Sequence, residues 1–396
     1  MIMQRICCIS LILCVVACAN DAPDPGDVFN RFGLIEAGPG ALAESDLEVQ
    51  AVALVDAATV RAYGVFEDFS SEAVAQAFIR AHERGVDVRI AGDIDRRQQR
   101  GFALLEAAGV HTRFGNGALD FELEPTRRAT SDGDASRVTH NFIVVDSVRV
   151  LNLSGGFLAG ESHQLGFEVT SEDIGRDFED EAVQMTGGVF ATTYDNYNGL
   201  LKSDVNNRRH YRTDSGDLEI YFGPQERLMK RIIDATYAAK SSVFIVGEGL
   251  ENVFLAEALR YKAMNRFEVA IVLDESLRTD NHPVAEALIS DLNDMRGDGD
   301  VLPDVRFHPD VQLNMVIIDA NDSPHDGRSY ATKVFVLSQP LVASSGFIRA
   351  GQGYQGRAAD SLMDSNMWVL NRIPGLRERN VDSLIGLFQS FFTEGG

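Results

Sequence analysis

"THNFIVVDS", Thr139 to Ser147, places a histidine and an asparagine before four apolar residues and an aspartate. A short apolar run of this kind reads as a buried strand. Upstream, "SSEAVAQAFIRAHERG" (Ser70 to Gly85) puts Val74, Phe78 and Ala81 on one helical face. Ser70 or Ser71 supplies an N-cap, and Gly85 a stop. "VDVRIAGD" then predicts a strand ending at Asp93. Before the helix, "VQAVALVDAATVRAYGVFED" (Val49 to Asp68) reads as apolar strands around a turn. The short β-α-β connection calls for parallel pairing.

The pattern returns downstream. "SSVFIVGEGL" is a strand, "ENVFLAEALRYKAMNR" a helix, and "FEVAIVLDE" a strand ending at Asp274. Asp93 and Asp274 stand 181 positions apart. "VHTRF" and "PDVRF" end at Phe114 and Phe307, an offset of 193; "LSGGF" and "SSGF" end at Phe157 and Phe347, an offset of 190. A polar, turn-rich loop precedes the last strands of each half, "PTRRATSDGDAS" in the first and "NDSPHDGRS" in the second. Matches in the same order imply an internal duplication. The polar "NYNGLLKSDVNNRRHYRTDSGD" reads as the connection. The expected divisions are residues 46–197 and 218–394 for the halves, with 198–217 as linker.

These features resemble the phospholipase D superfamily. The resemblance covers roughly Asp46 to Phe392. It rests on the duplicated α/β halves, on "RGVDVRIAGD", on "AAGVHTRF" and on the signature strands. It implies two α/β halves, each a mainly parallel sheet flanked by helices, packed as a pseudo-twofold pair. In that family each half carries H-x-K-x-x-x-x-D, followed by a strand ending in G-S-x-N. One histidine attacks phosphorus and the other protonates the leaving oxygen. Imidazole suits both roles near neutral pH, and lysines stabilise charge on the phosphoryl oxygens.

The motifs here depart from that pattern. Counting back from Asp146 puts Thr139 at the histidine position and Asn141 at the lysine position, with His140 between them. A gapped reading makes His140 the motif histidine and deletes the lysine. Ser154 remains in the following strand, while Gly156 stands at its asparagine position. The second half offers two registers. "QLNMVIID" gives Gln312, Asn314 and Asp319; "ATKVFVLS" gives Ala331, Lys333 and Ser338. The second is preferred, because Ala331 lies 192 positions after Thr139 and leads into "SSGF"; "QLNMVIID" then matches "ALDFELE".

The candidate motif-equivalent catalytic residues are therefore His140, Asp146 and Lys333. Thr139, Asn141, Ser154, Ser344 and Ser345 are candidates for substrate binding. Strand alternation points the His140 ring away from the cleft unless a bulge re-aims it, and His325 in the loop before Ala331 is a second histidine within reach. Without a full His-Lys-Asp set, the expectation is a degenerate relative that binds a phosphodiester or polar ligand between the halves. The alternatives are an active phosphodiesterase working through His140 and a purely structural envelope protein.

Composition narrows the setting. A 396-residue chain that is 45% apolar holds ample core, and a formal net charge of -23 repels nucleic acid at long range. The basic spots at Arg96, Arg97 and Arg100 and at Arg208, Arg209 and Arg212 read as solvated surface, as does the acidic run Asp177, Glu179, Asp180 and Glu181. No phosphate-binding glycine loop, H-E-x-x-H or G-x-S-x-G is present, and no cofactor or metal site is expected. All four cysteines lie within the first 18 residues. Arg5, the apolar Ile6 to Val16 and "VVAC" resemble a bacterial lipoprotein signal, with residues 1–17 removed and Cys18 lipidated. Residues 18–45 read as a tether. Ala19 after the cysteine resembles the outer-membrane sorting pattern, so the expected partner is a membrane of the bacterial cell envelope.

Overall fold

The computed structural model describes residues 30–37, 46–115, 138–156, 164–186, 210–223, 226–278, 283–296, 303–309, 311–341, 365–373 and 378–395. Cys18, Ser344 and Ser345 lie outside these, as do "ALDFELE" and the 190-position pairing of Phe157 with Phe347.

The first half runs β1 (Arg31–Ala37), α1 (Asp46–Asp56), β2 (Arg61–Phe66), α2 (Glu72–Glu83), β3 (Asp87–Asp93), α3 (Arg100–Ala107), β4 (His111–Gly115), β5 (Asn141–Val145), β6 (Arg149–Leu153), β7 (Gln164–Thr170) and α4 (Glu172–Thr186). The second half runs β8 (His210–Thr213), β9 (Gly216–Phe222), α5 (Leu228–Ala238), β10 (Ser242–Gly247), α6 (Val253–Met264), β11 (Glu268–Asp274), α7 (Pro283–Met295), β12 (Asp304–His308), β13 (Asn314–Ile318), β14 (Thr332–Leu337), β15 (Asn366–Arg372) and α8 (Arg379–Glu394). One sheet is ordered β1-β7-β6-β5-β2-β3-β4. The other is β12-β11-β10-β13-β14-β15-β9-β8.

The α/β class and the duplication stand, but the sheets are mixed rather than mainly parallel. The β2/β3, β3/β4, β10/β11 and β11/β12 pairs are parallel, and the remaining pairs are antiparallel. Helical crossovers return the chain parallel in the β-α-β portions, whereas the three-residue turn between β5 and β6 reverses it. Ser71 caps α2 by accepting from Val74 N at 3.1 Å, and Gly85 ends it at φ 85°.

Three boundaries shift. The segment expected as strands contains α1, where Leu47, Ala51, Leu54 and Val55 are buried at helical spacing. The segment expected as a tether contains β1, paired along its length with β7. The expected linker contains β8, whose Thr213 bridges Asn30.

The inner faces of both sheets share one core with α4 and α8. Phe142, Phe167 and Phe178 from the first half meet Phe222, Trp368 and Phe388 from the second. Trp368 stacks on Phe167 (5.0 Å between centroids) and on Phe32 (6.1 Å). Separate clusters lie under the outer helices of each half.

Candidate functional site

The topological partner of β5 is β13, because each pairs with the first strand of its β-α-β unit and with the strand that follows. This corrects the preferred register. "QLNMVIID", not "ATKVFVLS", is the second motif strand, and Asn314 and Asp319 correspond to Asn141 and Asp146. Their hydrogen bonds repeat. Asn141 Oδ1 accepts from Glu67 N and Asn314 Oδ1 accepts from Glu248 N, both at 3.1 Å. Asp146 accepts from Thr59 N, Val60 N and Arg61 N at 2.8 to 3.0 Å. Asp319 accepts from Lys240 N and Ser241 N at 2.7 Å. Both aspartates are left-handed, at φ 52° and 58°, which aspartate tolerates better than most residues. Burial pushes the Asp146 carboxyl up, but the Arg61, Val60 and Thr59 N–H groups outweigh it and hold the group below its ordinary range.

Constant offsets misled because the connections differ. Twenty-five residues separate β4 from β5, but five separate β12 from β13; three separate β5 from β6, but thirteen separate β13 from β14. Lys333, on β14, corresponds to Arg149 on β6. It pairs with Glu219 at 3.2 Å, on the side of β14 opposite Val334 and Val336, which face the shared core. Burial raises the Glu219 carboxyl, but the Tyr221 hydroxyl, Lys333 and Asn371 bring it below its usual range. His325 lies at the far end of β13, edge-on to Phe267 at 4.7 Å. Asp146, Lys333 and His140 therefore do not converge.

Ser154 does keep its place. Its Oγ accepts from Leu165 N at 2.9 Å, and Ser338 Oγ accepts from Asn366 N at 2.9 Å. Ser338, rather than Ser344 or Ser345, is thus the counterpart of Ser154. A side chain at Gly156 has no room: a Cβ there stands 2.7 Å from Asp68 O.

His140 reverses the expected parity. Phe142 and Val144 face the shared inner core, whereas Ile143 and Val145 face the outer helices. His140 continues the inner set without a bulge, so its ring enters the seam between halves. Thr139 and Asn141 take the other parity, and both are buried. His140 Nε2 donates to Glu181 Oε1 at 3.1 Å, and Nδ1 accepts from Asn366 Nδ2 at 3.0 Å. The same Asn366 nitrogen donates to Asn152 Oδ1 at 2.8 Å. With carboxylate on one side and amide N–H on the other, the ring is fixed as the Nε2–H tautomer. His140 and Glu181 are both 0% exposed, and no other ring hydrogen-bonding position remains.

The neighbouring groups complete the picture. Burial pushes the Asp93 carboxyl to about 6, opposed by the N–H groups of Asp95 and Val138. Burial likewise pushes Asp177 up to about 7, opposed by the Tyr211 hydroxyl and assisted by Asp180 and Glu226. A cavity of about 790 Å³ opens between the halves but is lined by Asn30, His210, Glu219 and Asn371, not by motif residues. No group of three or more histidine, cysteine, aspartate and glutamate side chains suited to a metal occurs among the described residues.

Glu181, expected with its acidic neighbours to be solvated, is instead fully buried in the seam, and sequence reasoning missed Asn152 and Asn366, which complete it. Asn366 lies 226 positions from His140, and no local pattern links them.

No protein-family model and no curated protein matches the sequence. Solved structures do. Phosphatidylserine synthase of Haemophilus influenzae Rd KW20 superposes with a TM-score of 0.57 at 11% identity, over 92% of this chain and 87% of the synthase. Polyphosphate kinase from Porphyromonas gingivalis gives 0.54 at 10% identity, over 91% of this chain; the chain spans 50% of the kinase. Nuc from Salmonella typhimurium, a phospholipase D family member, gives 0.31 over 39% of this chain. The chain shares its fold with the synthase and with the matched half of the kinase. At these identities the likeness is one of architecture.

Proposed function

We propose that this chain is a lipid-anchored, non-catalytic phospholipase D-like protein of the bacterial cell envelope, with a ligand- or partner-binding role. One observation carries the reading. In either register neither motif strand carries a lysine: Asn141 and Asn314 stand at the positions counted back from Asp146 and Asp319, take the parity that faces away from the seam, and each spends its carbonyl oxygen on the backbone of the neighbouring strand end. Phosphoryl transfer needs cations at those positions and a proton donor for the leaving group. Thr139 and Gln312 stand at the two histidine positions, and neither exchanges a proton near neutral pH. The counterpart of His140 is Leu313, so the two motif strands bring one imidazole to the seam instead of two. Cys18 provides the anchor, and the acidic surface disfavours nucleic acid as a partner.

The second reading is a phosphodiesterase working through His140. The buried Glu181 beside it is the kind of carboxylate that orients a histidine nucleophile. Against it, attack requires a free ring nitrogen, and both are engaged. Hydrolysis of a bis(p-nitrophenyl) phosphate diester and of phosphatidylcholine separates the readings. The expected result is no turnover above background for the full chain, unchanged in His140→Ala and His140→Gln. Turnover that disappears in both variants while their fluorescence remains native overturns the proposal.

A further inference from the structure

The two sheets have a common polarity. At one end the motif strands begin and His140 lies in the seam. At the other, the base, they finish at Asp146 and Asp319. Among the described residues eight large apolar side chains are exposed; Val49, Val253 and Phe254 stand in the first turns of α1 and α6, away from the base, and the other five gather there. Val60 precedes β2, Tyr237 is in the last turn of α5, Tyr261 and Met264 are in the last turn of α6, and Ile373 follows β15. All five belong to the base, and they are 45% to 69% exposed. The Tyr237 and Tyr261 rings lie 5.9 Å apart. Lys240 and Arg266 are exposed beside them. Single exposed apolar residues are ordinary on a protein surface, but a gathering at one end marks a contact surface.

The N-terminal segment arrives at the same end. Arg31, the first residue of β1, pairs with Thr170, the last residue of β7. Asn30 bridges Thr213, the last residue of β8, and its Nδ2 donates to Arg212 O at 2.9 Å. Twelve positions separate Cys18 from Asn30. Whatever path they take, they reach no more than about 40 Å. An anchor at Cys18 therefore keeps the base close to its membrane.

We infer that the base is a lipid-docking surface, with Tyr237, Tyr261, Met264, Val60 and Ile373 set against the headgroup region and the His140 end directed away from the bilayer. Tyrosine suits this setting, since its ring is apolar and its hydroxyl remains wet. Five side chains give weak binding alone. The anchor supplies a high effective concentration, so weak docking suffices to orient the body. The net charge of -23 opposes approach to anionic lipid, so apolar contact rather than charge drives docking, and added salt does not weaken it. A ligand or partner at the His140 end then comes from the aqueous side rather than from the same bilayer.

The anchored orientation rests on the Cys18 reading; the docking surface itself does not. The body has no cysteine beyond Cys18, so single labels report cleanly. In the full chain with its four native cysteines replaced by serine, an environment-sensitive fluorophore is placed at Val60→Cys, Met264→Cys or Phe254→Cys. Phe254 is exposed at the opposite end of α6 and serves as the control. Each protein is titrated with vesicles of phosphatidylethanolamine and phosphatidylglycerol. The base labels are expected to shift to the blue and resist an aqueous quencher, while the Phe254 label does neither. Tyr261→Ser with Met264→Ser is expected to weaken partitioning by about tenfold and to leave the urea midpoint unchanged. Base labels that never respond, or a Phe254 label that responds equally, overturn the docking surface. The anchor is judged separately, by the mass of Cys18 in the unmodified chain.

Discussion

Removing the His140 ring should unfasten the two halves. In His140→Ala, Glu181 keeps its carboxylate at a fully buried position but loses the donor at 3.1 Å. With the ring neutral, what is lost is a hydrogen bond to a buried carboxylate, which costs about 1.5 to 3 kcal/mol. Asn366 Nδ2 also loses one of its two acceptors, for about 1 kcal/mol more. The total is about 2.5 to 4 kcal/mol, a substantial part of the stability of an ordinary domain. The sole tryptophan, Trp368, reports on the same place, since it packs against Phe167 and Phe178 across the seam. Urea titrations followed by its fluorescence give the loss directly. In His140→Leu with Glu181→Leu both polar groups leave together, so the double variant should be more stable than the sum of the single losses by about 2 kcal/mol or more. A His140→Ala loss below about 1 kcal/mol, or strictly additive losses in the cycle, would refute the claim that this ring ties the halves.

Two further outcomes follow from groups near the seam. The Asp177 carboxyl is held at about 7, above the ordinary ~3.9 of an aspartate, so its contribution to stability is full below about pH 4 and is lost as pH rises through 7. Asp177→Asn keeps an acceptor for Tyr211 and should stabilise the protein at pH 8 by about 1 to 2 kcal/mol, discounted for its partial exposure, with little effect at pH 4; equal urea midpoints at pH 8 would refute this. Gly156→Asn restores the asparagine of the family's G-S-x-N strand but forces a Cβ to within 2.5 Å of the Asp68 Cβ. It should cost about 1 to 3 kcal/mol by the same titration, whereas a neutral effect would show that this strand end moves freely.

The fold was legible where the residues themselves carried a period. α2 announced itself through Val74, Phe78 and Ala81 and through its cap at Ser71. β3 and β11 ended where their aspartates stood. α1 was misread because Val49, Val52 and Val55 look like strand residues, although Leu47, Ala51 and Leu54 bury at helical spacing. β1 hid among prolines and glycines, and only its pairing with β7 makes it a strand. The register of the second motif was not legible, because the loops on either side of β5 and β13 trade lengths. Nor was the partner of His140, since Asn366 has no relation to it except in three dimensions.

The proposed loss of catalysis is matched by what the motif strands do structurally. The asparagine and aspartate of each motif strand hold its two ends to the first strand of the same half, through Glu67 and Arg61 in one case and Glu248 and Ser241 in the other. A lysine at Asn141 or Asn314 has no acceptor for the Glu67 or Glu248 N–H, so it would leave the strand end unfastened. The seam breaks the pseudo-twofold in a matching way. One half offers His140 and Asn152, where the other has Leu313 and Val336; the other offers Asn366, where the first has Leu165. A phosphoryl site between duplicated halves draws like groups from both sides. This cluster instead sets donor against acceptor, as the Asn366 amide does between His140 and Asn152. Such an arrangement is satisfied only when the two halves meet in one register, which suits a fastening and not a paired nucleophile and acid.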